Sequence, residues 1–289
     1  MENLEIKKQV LDNYSKIAEK QLSHQDLDRD CGCAPGCCGG DVADNQLSKS
    51  QKIGYDSVEL QSIPEDADMG LGCGNPLVFA QIKEGDTILD LGSGGGIDCF
   101  LAAPMVGASG RVIGVDMSPD MIHLARQNVV KTNHENVEFR LGEIENLPVA
   151  DNSVDAVMSN CVINLSPDKE RVFEDAFRVL RPGGRMMISD VVITKALPAF
   201  IKDSIEAYIG CVSGAMMRDE YLDCIKAAGF QGVKVIGETL FPFDCLINDP
   251  TAKAIIENEK ITAEEAQEIA RKVISLKVQG YKVKYASRK

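Results

Sequence analysis

A glycine-rich loop that follows an apolar run constrains the fold of this chain more than any other feature. The run Thr87–Leu91 leads into Gly-Ser-Gly-Gly-Gly at residues 92–96, and a helical pattern begins near Ile97. Small residues at this point let the backbone approach a ligand closely at the carboxyl end of a strand. The order of strand, glycine loop and helix therefore predicts the first unit of an α/β sheet, with a nucleotide site at its edge.

Strand and helix patterns continue to alternate after this loop. Four further strands are predicted, at Arg111–Val115, Val137–Leu141, Val154–Ser159 and Arg185–Val192. One helix is predicted to begin after Ser118, since Ser118 can cap it and Pro119 suits its first position, and another is predicted over Asp168–Leu180. Strands and helices that alternate at this spacing predict a doubly wound parallel sheet.

The segments on either side of this sheet predict two smaller units. A helix is predicted over residues 3–20, and the Cys-, Gly- and Pro-rich tract 31–40 predicts a loop. We therefore expect an N-terminal helix with a thiol-rich extension at 1–70, a Rossmann-like cofactor-binding domain at 71–195, and a small α+β C-terminal domain at 196–289.

The C-terminal segment has weaker patterns than the sheet. Two helices and a strand are predicted, near residues 199–211, 217–228 and Val233–Ile236 respectively. Thr262-Ala-Glu-Glu has the pattern of a capping box, which predicts the start of another helix. Tyr281, Val283 and Tyr285 alternate with lysines, and this alternation predicts a closing strand at the edge of the sheet.

The charge and the cysteine content limit the partners and the compartment. The 289-residue chain carries a formal net charge of −13, and an acidic surface repels phosphate backbones and anionic lipid headgroups. No apolar leader segment and no membrane-spanning apolar run is visible, and ten cysteines without an export signal favour a reducing compartment. The sequence thus predicts a cytoplasmic protein with neither a nucleic-acid nor a membrane partner.

The glycine loop and later side chains predict a nucleoside site without a phosphate. Asp116 closes the second strand, where a carboxylate can accept hydrogen bonds from ribose hydroxyls. Glu143 and Ile144 follow the third strand, where the carboxylate can accept from an adenine amino group and the isoleucine can pack on the ring. The loop lacks a P-loop lysine and departs from the usual dinucleotide spacing, so S-adenosylmethionine fits best.

This order of motifs resembles the class I S-adenosylmethionine-dependent methyltransferases. The matching segment runs from residue 70 to 195 and includes the turn Arg181-Pro-Gly-Gly before the fifth strand, which is typical of their small-molecule branch. The resemblance implies their Rossmann-like fold and their cofactor. The expected cofactor-binding residues are Asp90, Gly92, Ser93, Gly94, Gly96, Asp116, Met117, Glu143, Ile144 and Asn160.

Three single cysteines occupy positions that suggest a substrate site. Cys73 lies in a glycine-rich segment before the first strand, Cys161 sits at the carboxyl end of the fourth strand, and Cys211 ends a predicted helix beyond the sheet. Each of the three can instead be a core residue, because free cysteine often behaves as a small apolar side chain. The better candidates for the core are Cys99, Cys224 and Cys245.

Five short segments resemble the arsenite methyltransferase family. They are Gly-Cys73-Gly, Asp90-Leu-Gly-Ser-Gly, Ser-Asn-Cys161-Val-Ile-Asn-Leu, Pro-Asp-Lys and Gly-Cys211-Val-Ser-Gly-Ala. The resemblance implies that thiolates of Cys161 and Cys211 bind trivalent arsenic. It also implies that Cys73 takes part in a redox cycle with an N-terminal cysteine, and we count Cys73 as a further candidate arsenic ligand.

The N-terminal tract offers four thiols for that redox partner. They are Cys31, Cys33, Cys37 and Cys38. The adjacent pair resembles microbial members of the family, and we favour Cys38 as the redox or third arsenic-binding thiol. A zinc or iron–sulfur site in this tract is the alternative, although the spacing C-x-C-x₃-C-C fits no common zinc pattern well.

The chemistry of arsenic agrees with this resemblance. Arsenic(III) is soft and selects thiolate ligands, and its lone pair can attack a sulfonium methyl group without a general base. Positioning would then be the main catalytic effect. Methyl transfer oxidises arsenic by two electrons, which a dithiol can return by forming a disulfide. The expected partners are therefore arsenite, methylated arsenicals and a thiol reductant such as thioredoxin or a small thiol.

Two other functions remain open from the sequence. The chain could methylate an organic small molecule such as a quinone or a sterol precursor, but that function leaves the three placed cysteines unexplained. It could also bind soft metals or sense redox state without turnover. Arsenite methylation, with detoxification of arsenic as its result, is the function that the sequence favours.

Overall fold

The computed structural model describes residues 3–30, 48–132, 134–198, 201, 212–240 and 261–284. Several sequence predictions lie outside these ranges. They concern the cysteine tract at 31–40 and most of the helix near 199–211, which includes Cys211. They also concern Cys245 and Tyr285.

Within the described ranges, seven strands form one sheet. They are β1 (Thr87–Leu91), β2 (Arg111–Asp116), β3 (Val137–Leu141), β4 (Val154–Asn160), β5 (Leu180–Ile193), β6 (Gln231–Leu240) and β7 (Val273–Tyr281). The order is β3-β2-β1-β4-β5-β7-β6; β1 to β5 are parallel, and β7 is antiparallel to both of its neighbours. The predicted doubly wound sheet is confirmed, and β1 to β4 match the predicted bounds to within one residue.

Helices cover both faces of this sheet. The described helices are α1 (Asn3–Asp30), α2 (Lys49–Lys52), α3 (Ser57–Gln61), α4 (Ile97–Val106), α5 (Pro119–Lys131), α6 (Lys169–Val179), α7 (Arg218–Ala227) and α8 (Ala263–Ala270), with short 3₁₀ turns at Glu65–Ala67, Leu77–Phe79 and Ile163–Leu165. Successive residues of a strand face opposite sides, so Ile88 packs in one apolar cluster with Phe100 of α4, whereas Leu89 packs in another with Phe173 of α6. Burial of both faces explains why the strands are apolar throughout.

The N-terminal helix α1 is longer than the predicted 3–20 and lies against α5. Ala18 of α1 is fully buried and packs with Met121 and Leu124 of α5. The start of α5 is the predicted one, because Ser118 Oγ accepts a hydrogen bond from Met121 N at 3.2 Å. Among the helices of the described ranges, none combines the length and the apolar character that a membrane crossing requires.

The prediction of an edge strand around Tyr281 and Val283 is wrong. Strand β7 ends at Tyr281 and lies between β5 and β6, so the described sheet has β3 and β6 at its edges. Val273 to Leu276 are all buried, which an interior strand requires and an edge strand does not. The residues beyond 195 thus add two strands to the same sheet.

Candidate active site

A cleft of about 1060 Å³ opens at the carboxyl ends of β1, β2 and β4. This edge is where ligands bind in parallel α/β sheets. Helix α1 forms one wall through Val10 and Tyr14. The predicted residues that line the cleft are Asp90, Gly92, Ser93, Gly94, Asp116, Met117, Ile144, Asn160 and Cys161.

The glycine loop needs residues without a side chain at two points that face the cleft. Gly92 has φ 66°, and a Cβ built on it would lie 2.3 Å from Val162 Cγ2. Gly94 has φ 51°, and its N–H donates to Asp116 Oδ2 at 2.9 Å. Gly96 does not line the cleft. It has φ 100°, and it packs against Phe100 and Phe139, where a Cβ would not fit.

Asp116 is held in a fixed orientation at the end of β2. Its Oδ1 accepts from Ser118 N at 2.9 Å, and its Oδ2 accepts from Gly94 N at the same distance. The side chains of Met117 and Ile144 give the cleft an apolar surface next to this carboxylate. A carboxylate beside apolar walls, together with a loop of backbone that a Cβ would obstruct, fits a nucleoside that carries no phosphate.

Glu143 lies beside the cleft rather than among its lining residues. Its Oε2 accepts from Lys7 Nζ of α1 at 2.7 Å, and the same ammonium lies 3.0 Å from Glu145 Oε1. Lys7 and Glu145 do line the cleft. The sequence patterns missed both residues, because α1 contacts the segment after β3 only through the tertiary fold.

Two further carboxylates are buried below the glycine loop. The Oδ2 atom of Asp90 accepts a hydrogen bond from Cys99 Sγ at 3.3 Å. The Oδ1 atom of Asp98 accepts one from the Tyr55 hydroxyl at 2.7 Å. Burial raises the pKa of Asp98 to about 6 and raises the pKa of Asp90 well above its usual range. Asp98 and Tyr55 line the cleft and were not predicted, although Asp98 is only two residues beyond the loop in the sequence.

Asn160 joins the end of β4 to the segment that carries Cys73. Its Oδ1 accepts from Cys73 N at 3.0 Å, and its Nδ2 donates to Gly74 O and to Tyr55 Oη, both at 2.7 Å. A Cβ on Gly72 would lie 2.7 Å from Asn160 Nδ2, so the glycine allows this close approach. Asn160, predicted as a cofactor-binding residue, therefore also fixes the backbone around Cys73.

Replacement of this amide should loosen the Cys73 segment. We expect Asn160→Ala to lower the free energy of unfolding by about 1–3 kcal/mol, since it leaves the Cys73 N–H without its acceptor in a buried place. Urea unfolding measures the change. Asn146→Ala, at an exposed position whose φ is not positive, is the matched control and should change stability by less than about 0.5 kcal/mol. Equal losses in the two variants would contradict the joining role of Asn160.

Two of the predicted thiols, Cys73 and Cys161, come together where Cys161 lines the cleft. The sulfur atoms of Cys73 and Cys161 and a carboxylate oxygen of Asp190 all lie within 4.8 Å of one another, and the three residues are 3%, 8% and 0% exposed. Cys161 has φ 60°, which is unusual for a residue with a side chain, and its N–H donates to Ser189 O at 2.8 Å. Cys38 and Cys211 lie outside the described residues.

Asp190 on β5 is the third member of this cluster and was not predicted. Its Oδ1 accepts from Asn164 Nδ2 at 2.9 Å and from Val191 N at 2.8 Å, and its Oδ2 accepts from Tyr221 OH at 2.9 Å. Burial raises the pKa of Asp190 to about 7, although these donors oppose the shift. A usable signal existed in the sequence, because Ser-Asp interrupts an apolar strand next to β4, which ends just before Cys161.

The other described cysteines belong to the apolar core, as predicted. Cys99 is fully buried in the cluster around α4, and Cys224 of α7 is half-buried against the cluster around α6. The positions of these two thiols distinguish them from Cys161, which lines the cleft.

Comparison with known proteins agrees with this geometry. The family described as a methyltransferase domain matches residues 82–229. The arsenite methyltransferase of Halobacterium salinarum is 50% identical over 232 residues, which cover 80% of this chain and 59% of that protein. The human arsenite methyltransferase is 38% identical over 181 residues, which cover 59% of this chain and 48% of that protein.

A solved structure is similar as well. It is an arsenic(III) S-adenosylmethionine methyltransferase from Chlamydomonas reinhardtii, with a TM-score of 0.59 and 29% identity over 84% of this chain and 75% of that chain. The predicted class I methyltransferase fold and the resemblance to arsenite methyltransferases are thereby confirmed. This chain spans about three fifths of the Halobacterium protein and about half of the human one.

Proposed function

Because this chain belongs to the methyltransferase-domain family, we propose that it transfers methyl groups from S-adenosylmethionine to thiol-bound trivalent arsenic. The observation that carries the proposal is the convergence of Cys73 and Cys161 beside a cleft with the features of a nucleoside site. The similarity to arsenite methyltransferases supports it. The outcome would be the conversion of arsenite to methylated arsenicals and hence arsenic detoxification.

The residues of the cleft would hold the cofactor along its length. Asp116 would accept from the ribose hydroxyls, and Met117 and Ile144 would enclose the adenine ring. The carboxylates of Asp90 and Asp98 would face the positively charged methionine end, because buried carboxylates favour a nearby cation. When bound, S-adenosylmethionine supplies an electrophilic methyl group. To accept from the adenine amino group, Glu143 would have to give up its ion pair with Lys7.

The thiols would hold arsenic where its lone pair can reach that methyl group. Arsenic(III) selects sulfur ligands, and Cys161 places its side chain at the wall of the cleft. Asn160 keeps Cys73 close to Cys161 through the Cys73 N–H. Cys211 would complete the arsenic site, as the family resemblance implies. Cys38 would be the redox thiol, and the catalytic effect would come chiefly from positioning.

A reducing environment follows from this chemistry. Each methyl transfer oxidises arsenic by two electrons, so thiols of the protein would return them and an external thiol reductant would reset the resulting disulfide. We therefore propose thioredoxin or a small thiol as the partner and the cytoplasm as the compartment.

An arsenite turnover experiment tests the proposal directly. Reduced protein is incubated with arsenite, S-adenosylmethionine and a thiol reductant, and the arsenic species are then separated. Mono- or dimethylated arsenic should appear in proportion to the S-adenosylhomocysteine that is formed. Unchanged arsenite in the presence of bound cofactor would favour either a different methyl acceptor or a binding protein without turnover.

The cofactor part of the site has a separate test. We expect Asp116→Ala to raise the dissociation constant of S-adenosylmethionine by about 10- to 100-fold, from the loss of charge-assisted hydrogen bonds worth roughly 1.5–3 kcal/mol. Isothermal titration calorimetry measures the constant, and Glu174→Ala on the exposed side of α6 is the control. Tight binding by the Asp116 variant would mean that the ribose lies elsewhere.

A further inference from the structure

We propose that Cys73, Cys161 and Asp190 form a binding site for a borderline divalent cation, with Zn²⁺ as the best fit. All three ligand atoms lie within 4.8 Å of one another, and the three residues are buried. In a tetrahedral zinc site with bonds of about 2.0–2.3 Å, neighbouring ligand atoms are roughly 3.5–4 Å apart, so shifts of about 1 Å or less would close the site.

The mixture of donors is what points to zinc. Arsenic(III) is served by sulfur alone, whereas Zn²⁺ accepts both thiolate sulfur and carboxylate oxygen. The carboxylate of Asp190, which is on β5, lies next to the two thiols, and the positive charge of Lys169 offsets part of its charge. A divalent cation would supply the positive charge that this carboxylate and two thiolates require.

The carboxylate is already oriented as a metal ligand would be. Oδ1 accepts two hydrogen bonds, from Asn164 and from the Val191 N–H, whereas Oδ2 accepts one, from the Tyr221 hydroxyl. Oδ2 therefore keeps a lone pair that can bind a cation, and the three hydrogen bonds hold the carboxylate in one orientation. Carboxylate ligands in metal sites are commonly held by such outer hydrogen bonds.

Binding would release the two thiol protons to solvent and leave one coordination position toward the cleft. Cys161 lines the cleft, so an ion can enter and a water molecule can fill that position. Zn²⁺ would then occupy two thiols that arsenite needs and would inhibit methylation by competition. The cation site stands without the proposed function, whereas this competition rests on it.

Titration of reduced protein with Zn²⁺ tests the site. The affinity is measured by competition with a chromogenic chelator, and Co²⁺ absorption reports thiolate ligands in a tetrahedral site. We expect Asp190→Asn to lower the affinity for one Zn²⁺ ion by about 10- to 100-fold, and Tyr221→Phe to lower the same affinity by about tenfold. Cys161→Ser should lower the sulfur-to-cobalt absorption of that ion by at least about half, because it removes one of the two thiolate ligands.

Controls separate this site from the N-terminal thiols and from loss of folding. Cys224→Ser, in the half-buried core position of α7, should bind Zn²⁺ as the unchanged protein does. Thermal unfolding checks that each variant is folded. Unchanged zinc stoichiometry and affinity in Asp190→Asn, Tyr221→Phe and Cys161→Ser would overturn the proposal and place any bound zinc elsewhere. Zinc binding without arsenite turnover would retain the site and reject only the proposed function.

Discussion

Cys161→Ser is expected to lower arsenite methylation by at least about a hundredfold, because even a misplacement of about 1 Å at a reacting centre has an effect of this size. Serine has nearly the same shape as cysteine, but its hydroxyl is a hard ligand that arsenic(III) does not select. The affinity for S-adenosylmethionine should stay within about twofold, since the hydrogen bonds of Asp116 and of the glycine loop do not involve Cys161.

Two measurements decide this prediction. Arsenic speciation gives the rate of methylation, and calorimetry gives the cofactor affinity. Cys224→Ser is the matched control, because it changes a described thiol that does not line the cleft. The family resemblance leads to the same expectation for Cys211→Ser. Full turnover by the Cys161 variant would return Cys161 to the class of core cysteines and would leave arsenic without the ligand nearest the cofactor.

The sequence predicted the parts of the fold that depend on local patterns. Strands β1 to β4 are short apolar runs with clear ends, and α5 has its cap and its proline in adjacent positions. Local patterns say nothing about which strand lies beside which, so β7 was assigned to an edge although it lies between β5 and β6. Strand order depends on packing across the whole sheet.

The candidate site could be predicted in part for the same reason. The glycine loop, Asp116 and Cys161 each follow directly from a strand end, and all three positions line one cleft. Asp190 and Lys7 join the site from elements that the motifs do not include. Asp190 stands out only because Ser-Asp interrupts an apolar strand, and Lys7 has no distinctive neighbour in the sequence, so only the fold brings it from α1 to the segment after β3.

The glycine loop touches the segment that carries Cys161, a ligand of the proposed arsenic site. Gly92 lies against Val162, and Val162 directly follows Cys161 in the chain. A side chain at position 92 would therefore displace the backbone that places the Cys161 thiol, in addition to obstructing the cofactor. The loop in this chain thus has two roles, of which the nucleoside site is only the first.

Gly92→Ala should accordingly destabilise the protein by about 2–5 kcal/mol. The left-handed backbone at φ 66° contributes about 1–2 kcal/mol of this loss, and the collision of the new Cβ with Val162 contributes about 1–3 kcal/mol. Gly94→Ala is the matched control: it has φ 51°, and its Cβ would lie 3.4 Å from Met69 Cε, so we expect only the conformational loss of about 1–2 kcal/mol. Urea unfolding of both variants, with cofactor titration, measures the difference. Equal losses would mean that Val162 moves away freely and that the loop does not position Cys161.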